Sequence, residues 1–131
     1  MNRNLLFLSG DARLVERLDA ALANDLTVMA VDPRNQDVGA VVARFSPKAI
    51  AIDAGAHTGA RTVLEQMGSV RAAFPDIPLI AIGDEMSAQL ILTAFRAGID
   101  DFLDRDASDS QIRNTILTLL REKGKIGRAH V

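Results

Sequence analysis

The chain has 131 residues, 48% of them hydrophobic and 24% charged, a balance that suits one folded domain and argues against intrinsic disorder. A net charge of −2 and the lack of Trp and Tyr argue against an electrostatic platform or stacking surface for nucleic acid, and zero Cys excludes disulfides, thiolate metal sites and a Cys nucleophile. No apolar run approaches the ~20 residues of a membrane span and no leader-like segment opens the sequence, so a cytoplasmic domain with neither nucleic-acid partner nor membrane span is expected.

Asn4–Leu8 is a short apolar run halted by Ser9, Gly10 and Asp11, the pattern of a strand buried on both faces. Asp11 stands where a helix cap belongs, and Leu14, Val15, Leu18, Ala21 and Leu22 follow at helical spacing as far as Asn24 and Asp25. Residues 26–31 form the second predicted strand, stopped by Asp32 and Pro33. Val38, Val41, Val42 and Phe45 mark a second helix, closed by Pro47 because proline holds the preceding residue in extended geometry. Residues 48–53 are a third strand and 54–59 a small-residue loop, and a third helix is predicted over about residues 61–74 on Val63, Leu64, Met67, Val70 and Phe74. The fourth strand, 77–82, runs into Gly83 and Asp84, and the fourth helix, 87–97, is followed by Gly98 where a left-handed residue is wanted. Residues 101–103 are a short fifth strand. Ser108 and Gln111 have the spacing of a capping box, and Ile112, Ile116, Leu119 and Leu120 carry the last helix. Arg121 and Lys123 favour its negative end, with Gly124 placed just after it.

Strands alternating with helices imply parallel pairing through right-handed crossovers, hence a five-stranded α/β sandwich. In such open sheets a ligand crevice lies outside the carboxyl ends of the strands. Those ends carry Ser9, Gly10 and Asp11, then Asp53, Gly83 and Asp84, and finally Asp104 and Arg105. The first strand is followed neither by a Gly-x-Gly-x-x-Gly turn nor by a run of Ser and Thr, which argues against dinucleotide and flavin binding. His57 has no second ligand at metal spacing and reads as a loop residue.

The element order, Asp53, Arg105 and the run Ala97-Gly98-Ile99-Asp100-Asp101-Phe102-Leu103 together resemble a receiver domain of the CheY-like response regulators, over about residues 4–123. The run is similar to the family's Ala-Gly-Ala-Asp-Asp-Tyr-Leu. The resemblance implies a flavodoxin-like three-layer sandwich with sheet order 2-1-3-4-5, and it puts Asp53 at the phosphoacceptor position. Phosphoryl transfer there needs Mg²⁺ and acidic groups to hold it. The family's acidic pair falls on Ser9 and Gly10, its hydroxyl on Gly83, its lysine on Arg105 and the following proline on Asp106, while its Met-Pro turn is replaced by Gly55, Ala56 and His57. Asp11, one residue on, is the one carboxylate left to join Asp53 as a weak metal candidate, and helix capping already accounts for it. The resemblance therefore implies an atypical receiver with no cofactor and no enzymatic activity; Asp53 is then a residual carboxylate that pairs with Arg105 or caps a loop. The alternative is a working phosphorelay receiver phosphorylated on Asp53 with bound Mg²⁺.

Residues 123–131 (KGKIGRAHV) resemble the lead-in to a Walker-type ATPase, as follows the receiver-like module of TadZ/CpaE-like pilus-assembly proteins. The expectation is a receiver-like domain over 1–123, with 124–131 a linker or the start of a ParA/MinD-like ATPase; no phosphate-binding loop is present. On a helical wheel of the fourth helix, Ala88, Ile91, Leu92 and Phe95 form one apolar face and Leu90, Ala94 and Ala97 another. Their arc of roughly 220° exceeds what one sheet contact uses, which marks either a partner surface or burial under neighbouring loops. The resemblance implies a homodimer through the fourth helix, fifth strand and fifth helix, centred on Leu90, Thr93, Ala94 and Phe102, with an ATPase domain or pilus-assembly protein as a further partner.

Overall fold

Short apolar runs, each ended by Asp, Gly or Pro, assemble into one parallel sheet in the computed structural model. It describes residues 4–34, 36–54, 60–83 and 88–129, and their side chains except those of 60–66, 88–90 and 123–129. His57, Asp84, Gly55 and Ala56 lie outside the described residues, as does the side chain of Leu90. The elements are β1 (Asn4–Leu8), α1 (Ala12–Leu22), β2 (Thr27–Val31), α2 (Val38–Phe45), β3 (Ala49–Asp53), α3 (Ala60–Ala73), β4 (Leu79–Gly83), α4 (Ala88–Arg96), β5 (Asp101–Asp104) and α5 (Asp109–Ala129). The strand order is β2-β1-β3-β4-β5, all parallel, as the sequence implies.

Side chains alternate across a strand, so each central strand feeds two cores. Leu6, Leu8, Ile50, Ile52, Leu79 and Ala81 face α2, α3 and α4, which contribute Val38, Val42, Met67, Val70, Ala94 and Ala97. Leu5, Phe7, Ala49, Ala51, Ile80 and Ile82 face α1 and α5, which contribute Leu14, Leu18, Leu22, Ile112 and Ile116. Every residue of β3 and β4 is buried. A β3 ending in a charged residue must therefore satisfy that charge inside the protein.

Caps follow the local chemistry. Asp11 accepts from the amides of Arg13 and Leu14, and Asp37 from that of Ala40. Ser46, at φ 46°, closes α2 by donating its amide to the Val42 carbonyl, one residue before the proline expected to end the helix. Gly98, at φ 93°, closes α4. Ser108 and Gln111 make both bonds of a capping box, at 3.0 and 3.2 Å.

Two expectations need correction. α5 does not stop at Gly124 but continues to Ala129. A single glycine costs a helix only about 1 kcal/mol, and the helix-compatible residues on both sides outweigh that. On α4, Ala94 is fully buried against the sheet, with Ala97 beside it, so Ala94 cannot centre a partner surface. The wheel defines both apolar arcs but not which one meets the sheet. The alanine arc does, since small side chains let the helix backbone approach closely. Leu92 and Phe95 are left 49% and 56% exposed.

α3 carries a glycine with no structural duty. A Cβ added at Gly68 meets nothing within 4 Å. Gly68→Ala is expected to stabilise the protein by about 0.5–1 kcal/mol, seen as a higher denaturant midpoint at unchanged slope.

Candidate functional site

The carboxyl edge of the sheet brings Ser9, Asp11, Asp53, Gly83 and Arg105 together. Asp53 ends the central strand β3 and its side chain is 0% exposed. Ser9, also buried, continues from β1, its amide held by the Val31 carbonyl. Its hydroxyl donates to Asp53 Oδ2 at 2.7 Å and accepts the Asp11 amide at 3.0 Å. Arg105 follows β5, with its amide on the Gly83 carbonyl at 3.0 Å. Its Nη1 donates to Asp53 Oδ1 at 3.0 Å while Nη2 bonds Asp11 Oδ2. One guanidinium, 17% exposed, thus spans two carboxylates from different strand ends.

Asp11 divides its work between its two oxygens. Oδ1 caps α1, accepting the amides of Arg13 at 3.0 Å and Leu14 at 3.3 Å, and Oδ2 faces Arg105. Desolvation pushes its carboxyl upward in pKa, but the Leu14 amide, the Arg105 charge and the Arg13 amide together outweigh this and hold it below the usual value of 3.8. The unfolded chain binds the proton more readily, so Asp11 stabilises the fold fully above about pH 4 and loses that contribution as the pH falls through its lower folded value. Asp11→Asn is therefore expected to be less stable than the unsubstituted protein at neutral pH. The gap between their denaturation midpoints should narrow steadily below about pH 4.

Two further arginines serve this edge, and sequence reasoning missed both. Arg17 on α1 donates to the Arg105 carbonyl at 2.5 Å and to the Ala107 carbonyl at 2.7 Å, so α1 fixes the backbone that carries Arg105. Arg34 grips Asp32 through Nε and Nη2, at 3.1 and 2.9 Å, and that bond is the first cause of the lowered Asp32 pKa. The pair folds against Gly10, whose Cβ, if present, would lie 3.1 Å from Asp32 Oδ2 and 3.2 Å from Arg34 Nη2. A side chain at position 10 would require this pair to give by a few tenths of an ångström. Nothing short-range in the sequence signals the Arg17 contacts, which reach backbone carbonyls about 90 positions away.

The donor set does not fit Mg²⁺, which wants near-octahedral oxygen ligands. Both Asp53 oxygens already accept protein donors, one Asp11 oxygen caps a helix, and Gly83 brings no hydroxyl. Among the described residues no group of three or more His, Asp or Glu side chains is placed to hold a metal ion.

A second candidate surface lies on α4 and β5. Phe95 packs edge-to-face on the half-buried Phe102, with ring centroids 5.4 Å apart at 73°, and Leu92 stands exposed on the same helix. Thr93, on the same helix, is half-buried.

Neither a family model nor a curated protein matches the sequence. Solved structures do match. A CheY-like protein, TadZ, from Pseudomonas aeruginosa is 24% identical over 90% of this chain and 99% of its own, with a TM-score of 0.76. A pilus assembly-related protein from Burkholderia pseudomallei is 18% identical over 91% of this chain and 90% of its own, at 0.72. A response regulator receiver domain from Methanospirillum hungatei is 13% identical over 95% and 98%, at 0.82. The chain has the CheY-like receiver fold. Within that fold Asp53 stands at the end of β3, with the Ser9 hydroxyl and the Arg105 guanidinium bonded to its side chain. The helices of this receiver fold, among the described residues, include none long and apolar enough to cross a membrane.

Proposed function

We propose that this domain is a receiver-fold interaction module whose aspartate pocket is held shut by Arg105, and that it works by protein contact and not by phosphoryl transfer. The carrying observation is the engagement of both Asp53 oxygens, one by the Ser9 hydroxyl and one by Arg105, on a side chain with no exposed surface. A carboxylate that attacks phosphorus must present a lone pair to an incoming donor with a cation beside it to take up charge. Here the neighbouring cation is a tethered side chain, its guanidinium already shared with Asp11.

A module of this kind needs a surface to act through. Leu92 and Phe95, backed by Phe102, form the exposed apolar face of α4 and β5, and we assign dimerisation through α4, β5 and α5 to this face. The likeness to TadZ and to a pilus assembly-related protein supports pilus assembly as the setting, and the resemblance of residues 123–131 to an ATPase lead-in is the ground for an ATPase domain as a partner.

Incubation with Mg²⁺ and acetyl phosphate followed by intact-mass measurement tests the reading. No mass gain is expected. The gain of one phosphoryl group, abolished in Asp53→Asn, would instead establish a working phosphorelay receiver.

A further inference from the structure

The two edges of the sheet are built differently. β5, at one edge, is four residues long and carries exposed Asp101 and Asp104. Charges on an edge strand deter pairing with another chain. β2, at the other edge, is Thr27-Val28-Met29-Ala30-Val31, with no charge and no proline, and its five residues pair with β1 without a bulge. It has none of the usual protections within its length.

Its hydrogen-bonding direction follows from the ladder. The Ser9 amide bonds the Val31 carbonyl at 3.0 Å, and Val31 stands opposite Leu8. In a parallel pair a residue turns its N–H and its C=O to the same neighbour, and successive residues alternate. Thr27, Met29 and Val31 therefore bond β1, while Val28 and Ala30 turn both backbone groups away from the sheet.

We propose that β2 pairs with β2 of a second copy of this chain, antiparallel, about a two-fold axis at Met29. In that register Val28 of each copy lies opposite Ala30 of the other. Each such pair exchanges both N–H···O=C bonds, because these are the residues whose groups face outward. The strand ends are compatible as well. Leu26 meets Asp32, Asp25 meets Pro33 and Asn24 meets Arg34, so no like charges are opposed and the 62% exposed Arg34 side chain lies near the partner's acidic end. Met29 would meet itself across the axis. Two sheets become one continuous sheet, with the α4 faces at its far ends.

This contact is independent of the pocket and lies at the opposite edge from the α4 face. Two different isologous contacts on one domain build assemblies larger than a dimer, so the test removes the α4 face first. Sedimentation velocity of Phe95→Asp at high micromolar concentration is expected to give a dimer. Adding Ala30→Pro is expected to give a monomer with unchanged far-ultraviolet circular dichroism, since proline is tolerated on an edge strand where its missing N–H pointed outward. Ala30→Lys, at an exposed side chain, should do the same without altering the backbone. A monomeric Phe95→Asp protein would overturn the β2 contact while leaving the α4 interface standing. A dimer that persists through both Ala30 substitutions would overturn it too.

Discussion

Arg105→Met is expected to destabilise the protein by about 3–5 kcal/mol, the usual cost of removing one partner from a buried ion pair. Methionine keeps most of the side-chain volume, so the loss reports on charge. What remains is the Asp53 carboxylate, with no exposed surface, its Oδ2 still on the Ser9 hydroxyl but its Oδ1 without the arginine that faced it. Asp11 fares better, because it is partly exposed and keeps its two helix amides. At about 3–5 °C per kcal/mol for a domain of this size, the melting temperature should fall by roughly 10–20 °C. The converse experiment separates charge from shape. If the cost is the stranded carboxylate, Arg105→Met combined with Asp53→Leu should recover most of the lost stability. A single-variant cost below about 1 kcal/mol would mean that the guanidinium is a surface ornament and that Arg105 does not hold the pocket closed.

The same pair shows what a sequence can and cannot convey. That Asp53 and Arg105 would meet is legible, because both terminate strands that a parallel sheet must bring to one edge. The role of Ser9 is not: it reads as a lost carboxylate, and only the geometry makes it the donor that occupies the second Asp53 oxygen. The sheet itself is legible because β1, β3 and β4 are unbroken apolar runs with turn residues after them. The orientation of α4 is not, since a wheel with two apolar arcs is symmetric until the sheet chooses one, and it chose the arc with the smaller side chains. The end of α5 is misread for a related reason: glycine is weighed as a stop signal, but its local cost is small against the helix continuing past it.

The most specific piece of the family resemblance, residues 97–103, has a physical meaning that is structural and not catalytic. Gly98 supplies the positive φ that ends α4. Asp100 accepts the Leu79 amide at 2.9 Å and the Arg71 guanidinium at 2.6 Å, and its own amide bonds the Leu79 carbonyl at 2.8 Å, so it pins β4 to the entry of β5. A motif of this kind identifies the fold and carries no information about the pocket at the other end of the strands. That is why the fold is readable here while the chemistry depends on Ser9, Gly83 and Arg105.

Arg71 is the centre of that structural knot, and its removal should rank next in effect. Its side chain makes five hydrogen bonds: Nη1 to the carbonyls of Pro75 and Ile77 at 2.7 and 2.9 Å, Nη2 to the Gly98 carbonyl and Asp100 at 2.8 and 2.6 Å, and Nε to the Gly98 carbonyl at 3.2 Å. One side chain thereby joins the last turn of α3, the approach to β4 and the turn between α4 and β5. Arg71→Ala takes the guanidinium from the half-buried Asp100 carboxylate, which keeps the Leu79 amide, and from the Gly98 and Ile77 carbonyls, and water reaches only part of them. A cost of about 2–4 kcal/mol is expected, less than the sum of the separate bonds because losses within one network overlap. Gly98→Ala should also destabilise, by about 1–3 kcal/mol, through strain at positive φ and through a Cβ that would sit 2.9 Å from Arg71 Cγ and 3.1 Å from Nε. These two causes can be separated. The backbone strain persists whatever occupies position 71, whereas the collision with Cγ and Nε disappears in Arg71→Ala. Gly98→Ala should therefore cost less in the Arg71→Ala background than in the unsubstituted protein, a favourable coupling measurable by denaturation of all four proteins. An identical cost in both backgrounds would assign the glycine requirement to φ alone and leave the packed arginine no part in it.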